Sequence, residues 1–174
     1  TVIKTLYVTV SSVGTSARTV VKDLIESIVA NPDSNSDWKG KMDPVGDFEV
    51  NDTTVTATYE DEGDVQGILE DVPGFLASLY DGKNGVTQIT YKGNTYTWDN
   101  TVAAASKWKN GGSNTLVKDI TDEALAALGL TSNGDGTWHG GKEAGSFTIK
   151  LGLNGVSYDL IINYPTFNIA APTP

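Results

Sequence analysis

One passage of the chain occurs twice, about a hundred residues apart, and this repeat restricts the folds open to it more than any other feature. Thr19-Val20-Val21-Lys22-Asp23-Leu24 returns as Thr115-Leu116-Val117-Lys118-Asp119-Ile120. Trp38-Lys39-Gly40-Lys41 returns as Trp138-His139-Gly140-Gly141-Lys142, and Val45-Gly46-Asp47-Phe48-Glu49-Val50 as Ala144-Gly145-Ser146-Phe147-Thr148-Ile149. Three matches in one order at similar spacing indicate a duplicated unit. What recurs is mainly a pattern of apolar, aromatic and glycine positions, which is packing rather than chemistry.

The local patterns give each unit its elements. Thr5 to Ser11 alternates apolar and hydroxyl residues and is rich in β-branched types, which predicts a strand with one buried face. Thr15 or Ser16 then caps a helix in which Val20, Val21, Leu24, Ile25, Ile28 and Val29 recur at spacings of three and four, ended by Asn31-Pro32. Phe48 to Val50 and Val55 to Tyr59 read as a hairpin around Asn51-Asp52. Val65, Ile68, Leu69 and Val72 predict a helix that Pro73-Gly74 breaks, with Phe75 to Tyr80 adding a separate turn or two. Val86 to Tyr91 and Thr95 to Trp98 predict a second hairpin through Lys92-Gly93-Asn94, with positive φ at Gly93 and Asn94. In the second unit Thr121-Asp122-Glu123-Ala124 opens a helix and Gly129 caps its end; a Trp138-bearing loop follows, then a hairpin across Asn154-Gly155.

The expected fold class is α+β: duplicated strand-helix-loop-hairpin units forming an antiparallel sheet with helices packed on one face. Residues 1–99 hold the first unit plus the central helix and hairpin. Residues 100–168 hold the second unit, packed with the first as one domain, and residues 169–174 begin a Pro/Thr linker.

Composition excludes several functions. With 22 acidic against 12 basic residues the net charge is −10, so the chain lacks the basic clusters that bind a phosphate backbone, and nucleic acid is not an expected partner. The absence of cysteine removes disulfides, thiolate metal sites and a thiol nucleophile. No apolar run nears the about 20 residues that span a bilayer, so no membrane insertion is expected. The wealth of Gly, Thr, Asn, Asp and Ser, with few Lys and Arg, fits a secreted or bacterial cell-surface protein, and the start at Thr1 is taken as the trace of a removed leader or preceding domain.

The candidate ligand-binding residues are Trp38, Trp108, Trp138 and His139. Indole rings in Gly- and Asn-rich loops can stack on sugars, although a tryptophan kept in both units also suits a plug between helix and sheet. Of the four tryptophans, Trp108 is expected to be the most exposed. His139 replaces Lys39 of the other unit and reads as a polar surface position; no G-x-S-x-G turn accompanies it, so no catalytic residue is assigned. Thr131 to Thr137 resembles the core of a calcium loop, but Thr131 and Lys142 stand where the opening and closing acids belong, and an ordinary turn fits better. Glu60 to Asp64 reads as a solvated acidic loop, and Asp23 and Asp119 as helix-surface residues, so no metal site is assigned. A Lys4–Asn163 isopeptide bond would need the first and last strands side by side. No cofactor is expected.

These features favour a non-catalytic, extracellular structural or adhesive module of a larger bacterial surface protein, its partner a host or cell-surface protein or glycan. The loops around Ser34 to Lys41, Ser106 to Asn114 and Ser132 to Lys142 would make the contacts. A carbohydrate-binding module of a secreted enzyme is the first alternative. A self-assembling subunit of a surface layer or phage particle is the second.

Overall fold

The computed structural model describes residues 19, 21–26, 46–79, 86, 88–99, 101, 108–110 and 114–174. Among them a helical stretch, α1 (residues 21–26), precedes the hairpin β1 (Asp47–Asn51) and β2 (Thr54–Thr58). A 3-10 helix (Glu62–Gly67) runs into α2 (Ile68–Leu79). Next come β3 (Gln88–Tyr91), β4 (Asn94–Trp98), β5 (Trp108–Asn110), β6 (Asn114–Thr115) and α3 (Leu116–Leu128). The chain closes with β7 (Thr131–Ser132), β8 (Trp138–Lys142), the long strands β9 (Gly145–Leu153) and β10 (Val156–Tyr164), and β11 (Phe167–Ile169).

The fold is α+β. The described strands form one sheet in the order β1-β2-β10-β9-β3-β4-β5-β6 and a small one in the order β11-β8-β7. The main sheet is mixed rather than wholly antiparallel, because β2 and β10 run parallel with Val55 beside Leu160 and Ala57 beside Ile162. A parallel pair needs a long crossover, and the segment from β2 to β10 supplies one that carries α2 and α3. Alternation along β9 and β10 turns Ile149, Leu151, Leu153, Tyr158, Leu160 and Ile162 to one face, where they join residues of α2 and α3 in a continuous core. Phe48 of β1 stacks on Phe75 of α2 at 5.8 Å, and Val21, Leu24 and Ile25 of α1 are buried in the same core. The predicted first strand, the cap at Thr15 or Ser16, and Val20, Ile28 and Val29 lie outside the described residues.

The two repeat-related hairpins do lie together. A cross-strand row runs Phe48, Ala57, Ile162, Phe147, and the next runs Val50, Val55, Leu160, Ile149, so the matching phenylalanines share one face. The hairpins are not related by a rotation, however. With that face toward the viewer and the parallel strands β1 and β9 pointing up, β2 lies on one side of β1 and β10 on the other side of β9. A chiral unit cannot repeat in this way, and for these two hairpins the likeness is one of local packing.

The recurring glycine explains itself in that packing. Gly145 stands opposite Tyr164 in register, and a Cβ on it would meet the Tyr164 hydroxyl at 2.9 Å. Gly46 holds the matching place against Tyr59, whose ring carbons lie 2.6 to 2.9 Å from where its Cβ would be. Each hairpin closes a glycine against an aromatic residue, a pairing that only a missing side chain allows. Gly46→Ala is therefore expected to cost about 1–3 kcal/mol through overpacking against a buried ring. Urea unfolding measures it, with Gly63→Ala, where the added methyl meets nothing within 4 Å, as the control.

Several element boundaries differ from the sequence reading. Pro73 lies within α2 and does not break it. Proline removes one helical hydrogen bond, but Ile68, Leu69, Val72, Phe75, Leu76 and Leu79 share the buried stripe, and keeping that stripe in one helix outweighs the loss. The helix expected to open at Thr121 begins at Leu116, because Leu116, Val117 and Ile120 are buried and extend its apolar face. Gly129 ends it in the left-handed conformation, φ 64°, as expected. The β3–β4 turn is a two-residue turn, with positive φ at Lys92 and Gly93 rather than at Gly93 and Asn94. Trp138 lies in strand β8, not in a loop. Gly140 brings that strand close to the end of α3, its would-be Cβ 2.6 Å from the Gly129 carbonyl oxygen.

Candidate functional site

The residues singled out in the sequence are dispersed. Trp38 lies outside the described residues. Trp108 is fully buried, correcting the expectation that it is the most exposed tryptophan: β5 pairs it with Trp98, the two rings meet edge to face at 5.4 Å, and it is part of the core. In that position it has no ring face to offer a ligand. Trp138 is half-buried and packs on the core edge, its backbone N–H donating to Gln66 Oε1 at 3.1 Å.

His139 is half-buried, and its Nδ1 contacts the Asn133 side-chain oxygen. The calcium-like segment is a turn closed on itself. Asn133 N–H donates to the Thr137 carbonyl at 2.9 Å, Asn133 Nδ2 to Thr137 Oγ1 at 2.8 Å, and both donors of Thr137 bond Asp135 Oδ1. Those hydrogen bonds hold the Asp135 carboxyl below its usual range. Glu60 to Asp64 is a largely exposed stretch whose last three residues start the 3-10 helix, and Glu62 accepts the Asn168 backbone N–H at 2.9 Å. Asn163 is on β10 and its amide donates to Thr58 Oγ1 at 3.4 Å; Lys4 lies outside the described residues.

A different constellation draws polar groups together where the β3–β4 hairpin meets α3. Tyr91 and Tyr96 point inward from neighbouring strands and are buried. Asp119 and Glu123 stand four residues apart on α3, hence on one face a turn apart. Tyr96 donates its hydroxyl to Asp119 Oδ2 at 2.7 Å, and Tyr91 donates to Glu123 Oε2. Lys92 Nζ sits 3.3 Å from Glu123 Oε2 and 5.2 Å over the Tyr91 ring centre. Burial, and then the bond to Asp119 and its charge, push the Tyr96 phenol up to about 12.

Two small cavities flank Lys92. One of about 280 Å³ is lined by Tyr91, Lys92, Asn94, Tyr96, Asp119 and Asp122; the other, about 240 Å³, by Tyr91, Lys92, Glu123, Thr148 and Lys150. Each is smaller than the roughly 300–1,000 Å³ of a typical small-molecule site and has room for one functional group rather than a whole substrate. The sequence pattern presents Asp119 as a helix-surface residue and does not single out Tyr91, Tyr96 or Glu123 as a site. The available signal was the i, i+4 carboxylates opposite an aromatic-rich hairpin, but only the packing of α3 on that hairpin joins them.

Burial raises the Glu123 carboxyl above its ordinary value. An acid with a raised folded-state pKa contributes most below its unfolded value, and that contribution is lost as pH rises through the folded one. Glu123→Gln is accordingly expected to flatten the fall in stability above about pH 4.5. Urea titrations of both proteins between pH 4 and 7 would show parallel pH profiles if Glu123 were not responsible.

Comparison with protein-family models, with curated proteins and with solved structures gives no match to this chain. Among the described residues no helix is long and apolar enough to cross a membrane, and no group of three or more His, Asp or Glu is placed to hold a metal ion.

Proposed function

We propose that this chain is a non-catalytic structural or adhesive module of an extracellular bacterial surface protein, working through a broad surface. The observation that carries the reading is the outer face of the main sheet. Behind the buried rows it presents Glu49, Thr56, Ile161 and Thr148 in one row, and Asn51, Thr54, Asp159 and Lys150 in the next. Apart from Ile161, these are hydroxyl, amide and charged side chains, which make a wide and mainly polar surface across four strands, while the cavities near α3 hold no more than a functional group. The acids Asp119 and Glu123 accept tyrosine hydroxyls, which is a docking role for α3.

The carbohydrate-binding alternative loses Trp108 as a platform and rests on Trp138 and on Trp38, which lies outside the described residues. Sedimentation velocity over a wide concentration range, beside binding to panels of cell-surface proteins and glycans, tests the three readings. Protein binding without self-association supports adhesion. Glycan binding abolished by Trp138→Ala in a folded protein would turn the assignment to a carbohydrate-binding module, and concentration-dependent assembly would turn it to a self-assembling subunit.

A further inference from the structure

We infer that the groove between the β3–β4 turn and α3 is a receptor for a primary ammonium group of a partner molecule, a place that Lys92 fills from within the chain. This names the chemistry of the adhesive contact and rests on that reading only in assigning the ammonium to a partner.

Three non-glycine residues adopt positive φ in the described chain: Asp52, Lys92 and Asn154. Aspartate and asparagine enter this region readily; lysine does not, and its side chain gains nothing locally from the turn. What Lys92 gains is a position. Its ammonium lies between a carboxylate oxygen, 3.3 Å away on Glu123, and the face of the Tyr91 ring, the pair of groups that recognises an alkylammonium. The two cavities have Tyr91 and Lys92 in common among their walls. The remaining walls include Asp119 and Asp122 on one side and Glu123 and Lys150 on the other; Asp122 is paired with Lys118, and the acid beside the Lys92 ammonium is Glu123.

Lys92 is held weakly in this place. The Lys92 side chain is 64% exposed, and exposed ion pairs contribute little to stability. An incoming ammonium would replace like with like while Lys92 swings into solvent. The net charge of −10 favours the approach of a cation over an anion. A sugar suits the groove less well, because each cavity has room for one functional group rather than a whole pyranose.

Nα-acetyl-lysine methylamide, which carries one ammonium on a neutral body, is the probe; its Nε-acetylated form is the uncharged control. Both are titrated into the wild-type protein, Lys92→Asn, and Lys92→Asn with Glu123→Gln, with binding followed by NMR shifts. Asparagine preserves the positive-φ turn and removes the resident ammonium; Lys92→Gly gives the same readout if the asparagine variant folds poorly. With the internal competitor gone, Lys92→Asn is expected to bind the probe about two- to fivefold more tightly than wild type, the gain that removing a weakly held, exposed competitor allows. The double variant is expected to lose that gain, and the acetylated control to bind none of the proteins. Equal affinity for wild type and Lys92→Asn, or equal binding of the acetylated control, would overturn the inference. Amine binding without any macromolecular partner would uphold the site and count against adhesion; partner binding insensitive to the free amine would do the reverse.

Discussion

Trp108→Ala is expected to lower the unfolding free energy by about 3–5 kcal/mol, the range for deleting a fully buried large aromatic side chain. The indole is 0% exposed and closes the end of the sheet where β4, β5 and the start of α3 converge, so its removal opens a cavity that short strands cannot collapse to fill. It also removes the edge-to-face contact with Trp98, worth about 0.5–1.5 kcal/mol beyond area alone. Urea unfolding followed by far-ultraviolet circular dichroism measures the loss. A loss under about 1 kcal/mol would mean that the ring is not sealed in the core. Trp108→Phe, which retains most of the volume, is expected to recover the larger part.

Asp71→Ala is expected to cost about 3 kcal/mol, for a reason unrelated to apolar volume. Asp71 is the buried charged side chain of the described core, 3% exposed, and its Oδ2 accepts the Tyr59 hydroxyl at 2.6 Å and the Gly46 backbone N–H at 3.1 Å. Alanine leaves two donors without that acceptor in an environment closed to water, each costing about 1–3 kcal/mol. The three residues tie α2 to the open end of the first hairpin, so the penalty is paid where helix and sheet meet. Tyr59→Phe on the Asp71→Ala background is expected to recover part of the loss, since the stranded hydroxyl is then gone. Additive losses in that cycle would show that the pair is not coupled.

The same contact predicts a response to alkali. Burial, followed by the Asp71 charge, raises the Tyr59 phenol well above its ordinary value. A group whose folded pKa is raised contributes fully below its unfolded pKa, here about 10, and that contribution is lost as pH rises beyond it. Tyr96, pushed up to about 12, acts in the same direction. Tyr59 is therefore expected to ionise only as the chain unfolds, and the part of the tyrosinate absorbance that Tyr59→Phe removes should rise together with the loss of circular dichroism above about pH 10.

Much of the local structure was legible because it obeys short-range rules. The alternation in Phe147 to Leu151 and Val156 to Asn163, the Asn154-Gly155 turn and the Gly129 cap are written in a few adjacent residues, and the α+β class follows from them. Pro73 misled because a local rule gives the cost of proline in a helix but not the burial that offsets it. Trp108 misled for a related reason: glycine and lysine neighbours suggest a loop, while pairing with β4 makes it a strand whose alternate residue faces inward. The tyrosine and carboxylate groove was illegible because its members come from β3, β4 and α3, and nothing within any one of them announces the others.

The repeat marks the division between the two levels. By itself the sequence determined that two segments carry the same apolar, aromatic and glycine spacing, and each segment folded accordingly into a hairpin that closes a glycine against a tyrosine. It also determined an acidic chain without thiols, and with them the chemistries left open to it. Only the tertiary structure decided that β2 and β10 run parallel, that the hairpins meet with opposite hand, and that α3 docks on Tyr91 and Tyr96. The physical reason is range. Side-chain period and turn geometry act over a few residues, whereas strand order and the burial of a particular ring are set by which distant surfaces exclude water together.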